Sequence, residues 1–173
     1  MTSVSYRTPS AADLTALCRL GRATFIETFG DLYPPEDLED FLHHTFGPPG
    51  MPNEFANPAY RFRIAESEGQ LIGYCKLGPA SLPAPEDGRQ KIELRQLYVL
   101  RPWQGAGVAA SLMNWAMGVA KSSKADDFYL SVFSENVRAQ RFYSRYGFQE
   151  VGRFHYMVGK TADDERLWRL QLR

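Results

Sequence analysis

The sequence predicts a mixed α/β domain of the α+β class, and three observations carry that expectation. Runs with β-like apolar residues and runs with apolar residues at helical spacing interleave along all 173 residues, with no repeat of fixed period and no low-complexity tail. The turn ESEGQ, Glu66 to Gln70, separates two apolar runs and reads as an antiparallel hairpin. The small residues of QGAGVAA, Gln104 to Ala110, follow a long β-like run and open a helical pattern.

Taken in order, Val4 to Arg7 forms a short strand, and Ser10 caps a helix whose apolar positions are Leu14, Leu17, Cys18 and Phe25. A second short helix runs from Pro35 to about Phe46. The stretch GPPGMPNEFANP, Gly47 to Pro58, holds four prolines and two glycines and is expected to be a loop without regular structure. Tyr60 to Ala65 and Leu71 to Leu77 make the hairpin. A proline-rich loop from Pro79 to Gly88 leads to the long strand KIELRQLYVL, Lys91 to Leu100. The helix from about Gly107 carries Val108, Leu112, Trp115 and Val119 on one stripe. Phe128 to Phe133 resumes strand and Glu135 to Tyr146 helix, and two last strands, about Phe148 to Gly152 and Arg166 to Leu172, close the domain. With no linker in sight, residues 1–173 are read as a single domain, long enough to bury roughly 70% of the unfolded chain's surface.

Charge and cysteine usage narrow the function classes. Twenty basic residues balance twenty acidic ones, so no global field draws the chain to nucleic acid or to an anionic membrane. Cys18 and Cys75 have no CxxC spacing and read as reduced core thiols, and His43, His44 and His155 show no ligand spacing, so no metal is expected. The amino-terminal MTSVSYRTPS lacks a signal pattern, and the apolar stretch Gly105 to Ala120 is too short to span a bilayer. A cytoplasmic protein is the expectation.

The run RPWQGAGVAASLM, Arg101 to Met113, raises a chemical question. A strand that passes through a small-residue loop into a helix leaves the helix's first N–H groups without intrahelical partners, at the positive end of its dipole. Gly105 and Gly107 remove the Cβ atoms that would hold a phosphate away from those donors. A tight turn whose glycines serve only packing would look the same. The residues also satisfy GxGxxA over Gly105 to Ala110, so a dinucleotide-binding unit is a further reading. Its context fits poorly: Arg101 to Gln104 intervene after the strand, and an antiparallel hairpin precedes it.

Downstream, SVFSENVRAQRFYSRYGF sets Asn136, Ala139 and Tyr143 on one face of one helix. QGAGVA after one strand and N-x-x-A-x-x-x-Y-x-x-x-GF after the next resemble the acetyl-CoA signature of the N-acetyltransferase superfamily abbreviated GNAT, over about Ile92 to Gly152. The resemblance implies a mixed, mostly antiparallel twisted sheet of about six or seven strands, splayed centrally and flanked by about four helices. It implies that Gln104, Gly107 and Ala109, with Gly105, Ala106 and Val108 between them, hold the pyrophosphate of coenzyme A through loop amides. Leu97, Tyr98 and Val99 would pair with the pantetheine arm, Asn136 would hydrogen-bond it, and Tyr143 would stand near the thioester sulfur.

An alkyl ammonium of pKa near 10.4 is only ~0.04% neutral at pH 7, about 4.6 kcal/mol against a ready nucleophile. Glu93 occupies a position that resembles one often held by a glutamate in the family and is the expected general base, while Tyr143 is the expected acid for the leaving thiolate. Simple alternation puts Glu93, Arg95, Leu97 and Val99 on one face of their strand; a surface pairing of Glu93 with Arg95 is the competing reading. Backbone donors near Leu97 would steady the oxyanion.

Six acidic residues, Glu27, Asp31, Glu36, Asp37, Glu39 and Asp40, lie between positions 27 and 40 with no lysine or arginine. TFIETFGDLYPPEDLEDF is similar to the corresponding part of bacterial polyamine acetyltransferases, and Tyr156 to Leu172 is weakly similar to the same branch. On that likeness Glu27, Phe29 and Asp31 are expected to bind an amine acceptor; a solvated helical face is the competing reading of the acidic run, and Phe25, Phe29 and Tyr33 as a helical stripe read first as core. The expected activity is acetyl transfer from acetyl-CoA to a primary amine, a polyamine or else a protein amino group. A non-catalytic acetyl-CoA sensor is the alternative of another class, and a homodimer stays open.

Overall fold

A seven-stranded sheet in the order β1-β2-β3-β4-β5-β7-β6 organises the computed structural model, which describes residues 2–173. The strands are β1 (Ser5–Arg7), β2 (Arg61–Ser67), β3 (Gln70–Pro79), β4 (Lys91–Val99), β5 (Asp127–Phe133), β6 (Gln149–Val158) and β7 (Thr161–Gln171). Every pairing is antiparallel except β4 with β5, which is parallel and lasts only from Lys91↔Asp127 to Glu93↔Tyr129. Beyond that point the two strands part, leaving Leu94 to Val99 and Leu130 to Phe133 without each other as partners. The sheet is therefore split at its middle, as the resemblance implies.

Helices α1 (Leu14–Phe29), α2 (Pro35–Phe46) and α3 (Met51–Ala56) cover one face, and α4 (Val108–Ser122) and α5 (Val137–Ser144) the other. Two buried clusters follow from this. Leu17, Leu20, Leu42, Met51, Ile64 and Tyr74 pack under α1 to α3, while Leu77, Leu94, Leu112, Met113, Phe128 and Trp168 pack under α4 and α5. On α4 the fully buried stripe is Val108, Leu112, Met113, Ala116 and Ala120, so the face is rotated relative to expectation and Trp115 and Val119 lie at its margin. Among the described residues no helix is long and apolar enough to cross a membrane.

Two local expectations are corrected. The 47–58 segment is not all loop: Gly50 precedes the six-residue α3, in which Pro52 occupies a first-turn position where its missing N–H costs nothing. Met51, fully buried, pins that turn to the core and makes α3 a fifth helix. The last two strands run much farther than expected, meeting at a turn where Gly159 has φ +58°. The β2–β3 turn is formed by Glu68 and Gly69 at φ +50° and +75°, as a two-residue hairpin requires.

One buried charge ties the split sheet together. Asp127 at the start of β5 is fully buried, and its carboxylate accepts from Arg89 Nε at 2.6 Å and Arg169 Nε at 2.9 Å, joining the loop before β4 to β5 and β7. These guanidinium partners, led by Arg89, hold its carboxyl below the usual range against the opposing effect of burial. Asp127→Ala leaves two arginines facing an apolar gap and should cost about 3–5 kcal/mol in urea unfolding. The wild-type contribution is complete above the unfolded carboxylate pKa and is lost as pH falls through the lower folded value, so the stability gap between the two proteins should narrow in acid.

Candidate active site

The Gln104–Ala110 loop is built as an amide cradle. Gly105 and Gly107 sit at φ +82° and +83°, left-handed positions that favour glycine, and a Cβ added at either would meet nothing within 4 Å. Gly107 is the N-cap of α4, and the N–H groups of Gly105, Gly107, Val108, Ala109 and Ala110 donate to no acceptor among the described residues. Those donors lie at the positive end of a 15-residue helix, and Gln104 and Ala109 line the groove described next. Val108 anchors the loop by burying its side chain, and Ala106 N bonds back to Trp103 O at 3.4 Å. Gln104 closes the loop in two directions, donating from Nε2 to Val99 O at 3.0 Å and accepting at Oε1 from Arg138 Nη1 at 2.6 Å. Arg138 was not singled out from the sequence; it adds an exposed guanidinium beside the cradle. This geometry fits a diphosphate.

A groove of about 960 Å³ runs from this loop through the gap between β4 and β5, and Leu97, Tyr98, Val99, Gln104, Ala109 and Tyr143 are among its walls. Asn136 caps α5, its Oδ1 accepting from Ala139 N at 3.2 Å, which leaves the amide Nδ2 free to donate into the groove. Tyr143, one helical face along, packs its ring against Phe142 and Phe148 at centroid distances of 5.2 and 6.1 Å. Its hydroxyl has no hydrogen-bond partner among the described residues. Burial, chiefly, pushes its pKa well up, so the hydroxyl carries its proton throughout the neutral range.

The expected face of β4 is corrected. Leu77 pairs with Leu94 and Lys76 with Gln96, so Arg95 is an extra residue, a bulge that shifts the alternation. Ile92, Leu94, Leu97 and Val99 consequently face α4, and Glu93 shares the α1–α2 face with Tyr98 instead of with Leu97 and Val99. Glu93 is 5% exposed, and its Oε2 accepts from Ser81 N at 2.6 Å, Leu82 N at 3.3 Å and Ser81 Oγ at 3.3 Å. Its Oε1 lies 3.6 Å from Arg95 Nη1. Arg95 also reaches Glu54, which pairs with the buried Lys76. Glu93 thus anchors the proline-rich loop within an ion network.

Across the groove, the acidic run from α1 and α2 is largely committed to the fold. Glu27 Oε2 accepts from Arg101 N at 3.0 Å at the groove's edge, Glu39 pairs with Arg22, and Asp37 accepts from Lys160 N and Thr161 Oγ1 at 3.0 and 2.8 Å. Phe29 lines the groove and meets Phe133 edge-on at 6.2 Å. Asp31 lies on the exposed turn Gly30–Leu32 and is not part of the lining. Beside Glu27, Asp40, Glu54 and Glu93, two carboxylates of β7 line the groove: Asp163, which accepts from Tyr33 Oη, and Glu165. The signal for them was present in the alternation of Asp163, Glu165 and Leu167 in the final run.

Comparison with known proteins agrees with this geometry. The family model described as Acetyltransferase (GNAT) family matches residues 18–148. An uncharacterized N-acetyltransferase from the pepI 3′ region of Lactobacillus delbrueckii subsp. lactis is 26% identical over 167 residues, 96% of each chain. The spermine/spermidine N(1)-acetyltransferase of Bacillus subtilis is 27% identical over 99 residues, which are 57% of this chain and 65% of that one. Among solved structures, the PaiA N-acetyltransferase of Thermoplasma acidophilum in complex with coenzyme A shares the fold, with a TM-score of 0.78 at 21% identity over 98% of this chain and 99% of that one. With a family match that covers β4 and β5 at the split, the amide cradle and α5 together, the chain belongs to the acetyltransferase (GNAT) family and is an acetyl-CoA-dependent N-acetyltransferase.

Proposed function

We propose that the acceptor is a primary alkylamine of the polyamine type, acetylated by direct attack while coenzyme and amine are bound together. One observation carries the reading: Asp163 and Glu165 face the inner groove and have no ion-pair partner among the described residues. The cations nearest the acceptor side are already engaged, Lys76 and Arg95 with the Glu54 carboxylate and the Arg101 guanidinium with the main-chain oxygen of Glu27. Uncompensated carboxylates in a half-enclosed groove favour a cationic guest. The aromatic rings of Phe29, Phe133 and Tyr156 in the same groove suit an alkyl chain between charges. The partial likeness to a spermine/spermidine acetyltransferase supports the same class.

In this reading the amides from Gly105 to Ala110 hold the diphosphate, Leu97 to Val99 and Asn136 hold the pantetheine arm, and Tyr143 protonates the leaving sulfur. The bound coenzyme supplies the acetyl thioester. Thiol release measured across spermidine, spermine, monoamines and short peptides with free amino termini or lysines tests the assignment. Spermidine or spermine should exceed every peptide in kcat/KM by about tenfold or more, and the advantage should shrink as salt screens the groove. A peptide preferred over both polyamines rejects it.

A further inference from the structure

We infer that Glu165, on the acceptor face of β7, is the base that takes the proton from the amine. Glu165 lies opposite Phe133 at the end of β5 that has no β4 partner, and opposite Phe154 of β6. It therefore stands where the sheet opens. Its side chain is half-buried in the groove wall and forms no ion pair among the described residues. Glu93, the residue expected for this task, has one carboxylate oxygen filled by three loop donors and the other turned to Arg95. A carboxylate tied down in that way is a poor proton acceptor, whereas Glu165 is open to an incoming ammonium.

The surroundings match the task. Burial first, then the charges of Asp163 and Asp164 on its own strand, raise the Glu165 pKa to about 7, opposed by the Ser131 hydroxyl of β5. The other titratable groups facing this part of the groove are Tyr98 of β4, Tyr156 of β6 and Tyr33, which donates to Asp163. All three phenols are pushed up by burial and remain neutral, so none competes for the proton at neutral pH. A base of pKa near the working pH combines a useful ionised fraction with real driving force.

The proton balance closes with groups already described. The first ammonium proton passes to Glu165 and from there to solvent. The freed nitrogen lone pair forms the C–N bond, and the C–S bond breaks with its electron pair going to sulfur. Sulfur takes the Tyr143 proton, and the phenolate regains one from the second N–H of the new amide nitrogen. The net release is one proton per acetyl transferred.

This assignment rests on the amine-acceptor reading above, and the experiment separates the two. The substitution Glu165→Gln keeps shape and hydrogen-bonding reach but cannot accept the proton. With spermidine and acetyl-CoA at pH 7, kcat should fall roughly 10²- to 10⁴-fold, and the acidic limb of the pH profile near pH 7 should vanish. Rate should recover as pH climbs towards the amine's own pKa, and coenzyme A affinity should be unchanged. The folded state binds the Glu165 proton more tightly than the unfolded one, so wild type loses stability as pH rises from the usual carboxylate range to about 7. The Gln variant escapes that loss and should be at least as stable at pH 8, which a merely structural residue would not be. The matched Glu93→Gln should lower the melting temperature and keep the acidic limb. A wild-type-like profile in Glu165→Gln, or a limb that disappears with Glu93→Gln instead, overturns the inference. If wild type acetylates no amine in the panel, the acceptor reading fails, and calorimetric binding of spermidine with coenzyme A decides. A tenfold or greater loss of spermidine affinity in Glu165→Gln supports Glu165 as the ammonium's partner, and equal affinity overturns it.

Discussion

Gly107→Val should abolish measurable coenzyme A binding in a calorimetric titration while the circular dichroism spectrum stays that of the wild type. At φ +83° a valine costs about 1–2 kcal/mol in backbone strain, a loss that a chain of this length can survive. The added side chain would meet no protein atom within 4 Å of its Cβ, so nothing in the fold forbids it. The obstruction falls on the ligand. The branched methyls would occupy the space in front of the amides of Gly107 to Ala109, and a diphosphate held off those donors loses charge-assisted hydrogen bonds of roughly 1.5–3 kcal/mol each. Losing two or three of them amounts to about a hundredfold or more in affinity. Gly118→Ala in the exposed middle of the same helix is the control, because its Cβ also meets nothing within 4 Å and its φ is ordinary. That change should leave binding intact and stabilise the helix by up to about 1 kcal/mol. Undiminished coenzyme affinity in Gly107→Val would place the diphosphate elsewhere.

The cradle was legible because its chemistry is local: two glycines, flanking alanines and a preceding strand describe a helix mouth without any tertiary information. The Asn136-to-Tyr143 face was legible for the same reason, since residues spaced by helical turns share a side whatever packs against them. What escaped the sequence depends on pairing. The bulge at Arg95 shifts the alternation of β4 and sends Glu93 to the opposite face from Leu97, and only the register with β3 shows it. The β6–β7 hairpin extends well past its apolar ends, and its length is set by a register that runs on to Val158↔Thr161, which only the paired strands show. That extension is what sets Asp163 beside Tyr33 and Glu165 beside Phe133. The acidic run of α1 and α2 drew attention by its density, yet most of it serves capping and ion pairing, as Asp37 does for the Gly159 turn. Charge density in sequence does not distinguish a binding wall from a fastener; partners do.

Tyr143→Phe should lower kcat by roughly 10²- to 10⁴-fold with little change in acetyl-CoA affinity, the range expected for removal of a positioned acid. The ring keeps its contacts with Phe142 and Phe148, so packing and the shape of the groove are preserved. The hydroxyl bonds to nothing among the described residues, so its removal strands no buried partner and should shift stability by less than about 1 kcal/mol. A split in which kcat falls and coenzyme affinity holds therefore isolates the proton. Because burial keeps the phenol protonated well above neutrality, the wild-type rate should show no basic limb from this group across an assay range ending near pH 9. The same environment suits the proposed acid role. A phenol whose anion is disfavoured by an apolar wall is a weak donor at rest, but a thiolate expelled into that wall is disfavoured as well, and moving the proton relieves the sulfur at the moment its charge appears. The second N–H proton of the attacking nitrogen then returns the phenol to neutrality, so the unfavourable phenolate need not persist. An unchanged kcat in Tyr143→Phe would mean that water entering the open groove protonates the sulfur, and that the tyrosine acts only as a wall.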